Sequence, residues 1–381
     1  MTYAACLPVL RVAWDMSATA AGSIPTGFHL GNGLSLLIFS WLADRIGARR
    51  VFLASAAGSA VTALAFAMLA RSYLSGLVLL TLVALTQGGM YSTGIMLVAE
   101  RYGPRQRGAA MGWLIASSSV GYTASLLLSG AMLARGGYPL AFLATACGPV
   151  AGAAIAWLAL RSTPNVIHPR REGLRFGTAV LRNRGAMRVI LGYMAHNWEL
   201  IGMTTWAPAF VAAALTVGAM SAGAAQRGAY VAAAFHAMAF LASLSMGRLS
   251  DRLGRRAVLL SIAATSAACS LIFGWLIRSP TPVIVAVGAL YGFTALGDSA
   301  VLSTALTETV DPAYLGSALA LRSVLSSGAG ALAPLAFGAV LDATNPPGGT
   351  PATWGWAFTA LGAGALIATL CAYGLRERHA R

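Results

Sequence analysis

Apolar runs of about twenty residues recur along this chain, at roughly 18–43, 51–70, 74–99, 108–134, 138–160, 187–214, 225–248, 257–277, 281–307, 316–341 and 352–375. Each is long enough to cross a hydrocarbon core of about 30 Å as a helix. None shows the short alternating segments that a transmembrane barrel needs. Residues 1–12 are apolar too but too short to span, and Arg11 to Ser17 reads as a loop. The pattern predicts an all-α polytopic membrane protein with eleven complete spans and a stub.

Composition agrees. Of 381 residues, 57% are hydrophobic and only 10% charged, with mean hydropathy +0.72, against about 25% charged residues in a soluble domain. The net charge of +15 is carried entirely by arginine. Its placement in short loops is a topology signal rather than a nucleic-acid patch, so no nucleic-acid partner is expected. One set of loops holds twenty arginines: Arg45, Arg49, Arg50, Arg101, Arg105, Arg107, seven from Arg161 to Arg188, Arg248, Arg252, Arg255, Arg256, Arg376, Arg378 and Arg381. The alternate loops hold five, Arg11, Arg71, Arg135, Arg227 and Arg278. The positive-inside rule then places the first set and the C-terminus in the cytoplasm. Cys6, Cys147, Cys269 and Cys371 stand singly, without metal or disulfide spacing. No phosphate-cradling, dinucleotide, zinc-protease or nucleophile-elbow motif is present. Neither an enzyme nor a cofactor or metal is expected.

One charged loop occurs twice. Trp41-Leu42-Ala43-Asp44-Arg45-Ile46-Gly47-Ala48-Arg49-Arg50 is echoed by Gly247-Arg248-Leu249-Ser250-Asp251-Arg252-Leu253-Gly254-Arg255-Arg256, with Asp44 to Asp251 and Gly47 to Gly254 both offset by 207. At that offset Phe28-His29 matches Phe235-His236; at 208, Glu100, Pro104 and Gly108 match Glu308, Pro312 and Gly316. Such a repeat implies two pseudo-symmetric halves with a substrate site between them. The halves are 1–160 and 188–381, joined by a basic linker, 161–187, part of which (Leu174 to Leu181) suits a short helix on the membrane surface. The span at 187–214 should have a partner some 207 residues earlier, of which only the last third is present. Most of a first helix is therefore expected to be missing, through a misassigned start, truncation or gene damage.

A D-R-x-G-R-R loop between the second and third spans, repeated between the eighth and ninth, resembles the cytoplasmic gating motif of the major facilitator superfamily. The copy at Gly247 to Arg256 fits closely; the first departs at Ser40 and Ala48. The resemblance covers essentially the whole chain. It implies two six-helix bundles and a secondary active transporter of a small organic solute, coupled to a proton gradient and without a cofactor. It further implies alternating access, a bilayer-embedded monomer and a bacterial inner membrane. The motif residues Asp44, Arg45, Gly47, Arg49, Arg50, Gly247, Asp251, Arg252, Gly254, Arg255 and Arg256 are the candidate gate. Asp44 or Asp251 can cap a neighbouring helix, the glycines permit a sharp turn, and the arginines can pair with Glu100, Glu308 or anionic lipid. Such contacts would hold the cytoplasmic ends of the halves together. The fifth span, Ser117 to Thr123, lacks the Gly-Pro pattern of drug–proton antiporters, and Ala84 stands where their arginine precedes Gln87-Gly88.

Ionisable residues inside spans are costly and are functional candidates by default. Glu199 lies mid-span with His196 one turn before it on the same helix face; the pair could titrate and couple protons to movement, or fasten two helices. Asp298 is flanked by small residues and is either a ligand site or the counterion of Arg322. Arg322 in turn suits a substrate anion, an acidic partner (Asp298 or Glu308) or a lipid-facing anchor. His29 and His236 occupy equivalent positions and would both face the central cavity, or else serve as packing donors. Trp198 and Trp206 would wall that cavity or belong to the core. The competing expectation is a non-transporting sensor, assembly partner or inactive fragment of the same fold.

Overall fold

The computed structural model describes residues 1–167, 178–215, 222–311, 314–346 and 352–375. Its helices are α1 (Thr2–Ala13), α2 (Ala18–Ile46), α3 (Ala48–Leu69), α4 (Tyr73–Arg101), α5 (Pro104–Leu160), α6 (Thr178–Arg182), α7 (Arg184–Leu215), α8 (Ala222–Leu253), α9 (Arg255–Phe273), α10 (Thr281–Thr309), α11 (Leu315–Ala343) and α12 (Gly355–Tyr373). A 3-10 turn, Gly274–Arg278, extends α9. Gly136 and Gly137 interrupt the helical backbone of α5, Gly137 at φ 68°, so α5 supplies two limbs, 104–135 and 138–160. Among the described residues, eight helices are apolar and long enough to cross a membrane, α5 among them. The 29-residue α2 and 32-residue α7 are long enough but are diluted by small and polar positions such as Asn32, His196 and Glu199. With those two and both limbs of α5, the eleven expected spans are all helical.

One detail differs from expectation. The segment read as a loop from Arg11 is helical through Ala13, and the loop begins at Trp14. The stub is also central: Ala5, Cys6, Leu7 and Leu10 are fully buried, and α1 packs among α5, α7 and α8. The surface helix expected over Leu174–Leu181 falls mostly outside the described residues; α6 covers only Thr178–Arg182. Pro312, Arg376, Arg378 and Arg381 also lie outside them.

Among the described residues the halves, α1–α5 and α7–α12, meet chiefly where α2 packs against α11, α5 against α8, and α1 against α7 and α8. Lipid tails are as apolar as leucine, so helices in a bilayer associate through close packing and hydrogen bonds. The α2–α11 seam follows that rule. Gly22 lies against the backbone of Pro334 and Gly338 against that of Ala18, so close that neither position has room for a Cβ. The Thr26 hydroxyl donates to the Ala331 carbonyl at 2.6 Å.

A polar cross-link closes the end of this seam away from the arginine-rich loops. The first amides of a helix have no partner inside it. In α2 two of them, Ala18 and Thr19, donate to the Asp342 carboxylate of the other half at 2.8 and 2.7 Å, and the Thr19 hydroxyl adds a bond of 2.6 Å. Ala20 donates to the Ser17 side chain at 3.1 Å. Asp342 therefore acts as an N-cap supplied in trans, placed where the helix dipole favours a carboxylate. At the equivalent end of α5 the residue is Arg135, which suits no such role opposite the start of α8; there Gly130 packs on Ala229 and the Tyr230 ring instead.

Asp342→Ala is expected to cost about 1–2 kcal/mol, the range for losing an N-cap, and Thr19→Val less. Thermal unfolding of the purified protein checks this; an unchanged transition for Asp342→Ala would show that the cap does not hold the seam.

Candidate functional site

The two charged loops turn at Gly47 (φ 91°) and Gly254 (φ 89°), a backbone region that side chains rarely tolerate. Beyond each turn an arginine ties the loop to the last span of its own half. Arg49 Nε donates to the Leu160 carbonyl at 2.7 Å and Nη2 to that of Arg161 at 3.1 Å. Arg256 Nε donates to the Tyr373 carbonyl at 3.2 Å. These two arginines occupy matching positions at the offset of 207 and serve matching C-terminal carbonyls, where the dipole favours a cation.

The neighbouring position is not symmetric. Arg255 Nη1 lies 2.6 Å from Asp251, and Nη2 lies 3.0 Å from Glu308, with Nε adding a second bond to that carboxylate at 3.3 Å. Its counterpart is the buried Ala48, so no arginine stands at the matching position in the first half. There Asn165 fastens the loop, donating to the Ile46 carbonyl at 2.7 Å and accepting from the Arg50 amide at 3.2 Å. Arg45 stacks over Trp41 at 3.9 Å. Asp44 is exposed and has no hydrogen bond or ion pair among the described residues. Nothing within 4 Å crowds a Cβ at Gly247, so Ser40 fits the matching place in the first copy. Each of these named contacts stays within one half.

Deeper in the second half, α7, α9 and α10 build a buried polar cluster. His196 and Glu199 lie on one face of α7 and are 2% and 3% exposed, but they take different partners. His196 Nδ1 is 2.8 Å from Asp298 Oδ1, at ion-pair distance though not aligned as a hydrogen bond. Its Nε2 is 2.9 Å from the Ser299 hydroxyl. Glu199 instead accepts from Ser266 on α9 at 3.0 Å. Beside it the fully buried Tyr291 donates to Ser270 at 2.9 Å, and Ser270 donates to the Phe358 carbonyl at 3.0 Å. The acid expected to pair with His196 is thus held by α9, and the acid offered as a counterion for Arg322 stands against His196. A histidine bridging a carboxylate and a hydroxyl can hold a proton or release it by exchanging donor and acceptor roles at Nε2.

Arg322 is half-buried. Its guanidinium lies over the Tyr193 ring at 4.5 Å, and Nη1 donates to Ser303 at 3.2 Å. His236 is 5% exposed and packs beside Tyr122, with ring centroids 5.8 Å apart. His29 is half-buried and packs beside Phe28, with ring centroids 5.3 Å apart. Trp198 and Trp206 are tied into the second half by indole bonds of 3.1 Å to the Ala360 and Pro334 carbonyls. Trp206 is fully buried and stacks on Phe337, which makes it core. Ser266, Tyr291 and Ser299 went unnoticed in the sequence, as hydroxyls in spans are common; Tyr193, one turn before His196, was the one discoverable by spacing.

The sequence matches the family model of the Major Facilitator Superfamily over residues 1–226 and 211–381. An uncharacterized MFS-type transporter of Mycobacterium tuberculosis is 27% identical over 326 residues, covering 83% of this chain and 70% of that protein. The fold is similar to the crystal structure of a mutant of the nucleoside transporter NupG, with TM-score 0.75 and 15% identity, over 97% of this chain and 94% of that one. It is equally similar, at 0.75 and 17% identity, to a bacterial homolog of the human lysosomal transporter Spinster, over 98% and 93% of the two chains. At these identities the likeness to solved structures concerns the fold alone.

A double-mutant cycle tests the cluster. Replacing His196 and Asp298 by alanine, singly and together, is expected to show a coupling of about 1–3 kcal/mol, as for buried residues in contact. The His196–Glu199 coupling should be smaller. A larger coupling for His196 with Glu199 in thermal unfolding would overturn the pairing described.

Proposed function

The chain belongs to the major facilitator superfamily, and on that premise we propose that this multi-pass membrane transporter moves a small organic solute by alternating access, coupled to protons. One observation supports the reading above others. The named contacts between halves, from the Asp342 cap to Tyr122 beside His236, lie from mid-span outward, away from the arginine-rich loops. At the arginine-rich end the bonds named for each loop stay within its own half. That is the arrangement of a molecule closed at one end and free to close at the other, with the charged loops as the second gate.

In this reading the arginine-rich end, and the C-terminus with it, is cytoplasmic in a bacterial inner membrane. The His196–Asp298 pair takes a proton on one side and returns it on the other, and Glu199 sets the electrostatics around it. The bilayer and a small-molecule substrate are the partners; the working unit is a monomer, without a cofactor.

Proteoliposomes loaded with a pH-sensitive dye and challenged with a panel of small solutes test the coupling. A substrate should drive proton movement with the wild type, and Asp298→Asn should abolish it while leaving solute exchange. Flux that ignores the pH gradient would remove proton coupling, and no flux of any solute would favour a sensor or assembly role. Green fluorescent protein fused after Arg381 should fluoresce in bacterial cells; a dark, membrane-inserted fusion would reverse the orientation.

A further inference from the structure

The cargo's chemistry can be narrowed from the charges near the seam, taking the transport reading as given. Both mid-span acids are spent inside the second half: Glu199 is held by Ser266, and Asp298 stands against His196, leaving them 3% and 6% exposed. A cationic solute would therefore find neither carboxylate open to it. Arg322 differs. Among the described residues, no acid forms an ion pair with its guanidinium; Nη1 uses a neutral serine, and Nε is buried with no hydrogen-bond partner. A guanidinium left with an unfilled donor in a poorly hydrated place favours a carboxylate, which can meet two of its N–H groups at once.

The surroundings add a second preference. The Tyr193 ring already forms one face of Arg322. From the other half, Tyr91 on α4 and Tyr122 on α5 are 56% and 45% exposed. Tyr91 lies within electrostatic reach of Tyr193 across the seam and of Tyr122 in its own half, and Tyr122 reaches the second half beside His236. Tyrosines offer wide, rigid faces to a flat ring and a hydroxyl to its polar edge. We propose that the cargo is a small aromatic carboxylate, its carboxylate on Arg322 and its ring against Tyr193, Tyr91 and Tyr122. A neutral ring would leave the buried donor unpaired, and an amine would be repelled by it.

Benzoate, benzamide and benzylamine differ little in shape but carry negative, zero and positive charge. With the full chain in lipid nanodiscs, benzoate should bind saturably and raise the unfolding temperature, since a ligand of the native state stabilises it by mass action. Benzamide and benzylamine should not. Arg322→Gln should weaken benzoate binding by about tenfold to a hundredfold, with Arg322→Lys intermediate. Tyr91→Leu should weaken benzoate more than acetate. Tyr91→Leu and Arg322→Lys keep the test open if Arg322→Gln fails to fold. Absence of benzoate binding, binding undiminished in Arg322→Gln, or preference for benzamide or benzylamine would overturn the proposal. Flux of a neutral or cationic solute would sink this assignment and leave the transport reading standing. Benzoate binding without flux of any solute would sink transport and leave the site.

Discussion

The start of α2 cannot satisfy its own first amides, and Asp342 of the opposite half does so for two of them. Much of the molecule's present shape follows from that one shared cap. It fixes the end of α11 over the start of α2, where Gly22 and Gly338 let the two backbones touch. It also stands where water can reach both partners once the seam opens. A cap on a membrane-buried end would leave bare amides in lipid when broken. Here the lost bonds are replaced by hydration, so the seam can be firm and still reversible.

Charge is handled differently at three depths. At the arginine-rich surface, Arg255 with Asp251 and Glu308 forms an exposed network, the class of ion pair that contributes about 0–1 kcal/mol. In the second half, His196, Asp298 and Glu199 are nearly sealed, and their cost in lipid is tolerated because hydroxyls and a counter-group face them. Between these lies Arg322, partly satisfied by Ser303 and Tyr193. A sealed cluster suits proton exchange, and an incompletely paired cation beside the seam suits cargo. Separating the two tasks lets one group titrate without sitting in the other's path.

Much of the fold was legible from period and spacing. Apolar runs gave the spans, and the offset of 207 aligned Gly47 with Gly254 and Arg49 with Arg256, which do share their geometry. Partner choice was not legible. His196 and Glu199 share a helix face, yet three residues of spacing cannot tell which neighbouring helix each will meet, and α9 and α10 divide them. Asp342 was invisible for a related reason: a carboxylate near a span's end looks like a boundary marker until another helix's free amides are brought to it. The stub's burial was not legible either, since twelve residues too short to span lipid are still long enough to fill the space between two halves.

The most direct test follows both ends of the seam at once, by pulsed electron resonance between spin labels in liposomes, with the native cysteines replaced. One pair, on Trp41 and Ser323, spans α2 and α11 at the arginine-rich end; the other, on Arg135 and Arg227, spans α5 and α8 at the opposite end. The account predicts that Asp342→Ala shifts the population so that the first distance shortens while the second lengthens. Distances that stay fixed, or that change together in the same direction, would contradict alternating access in this protein.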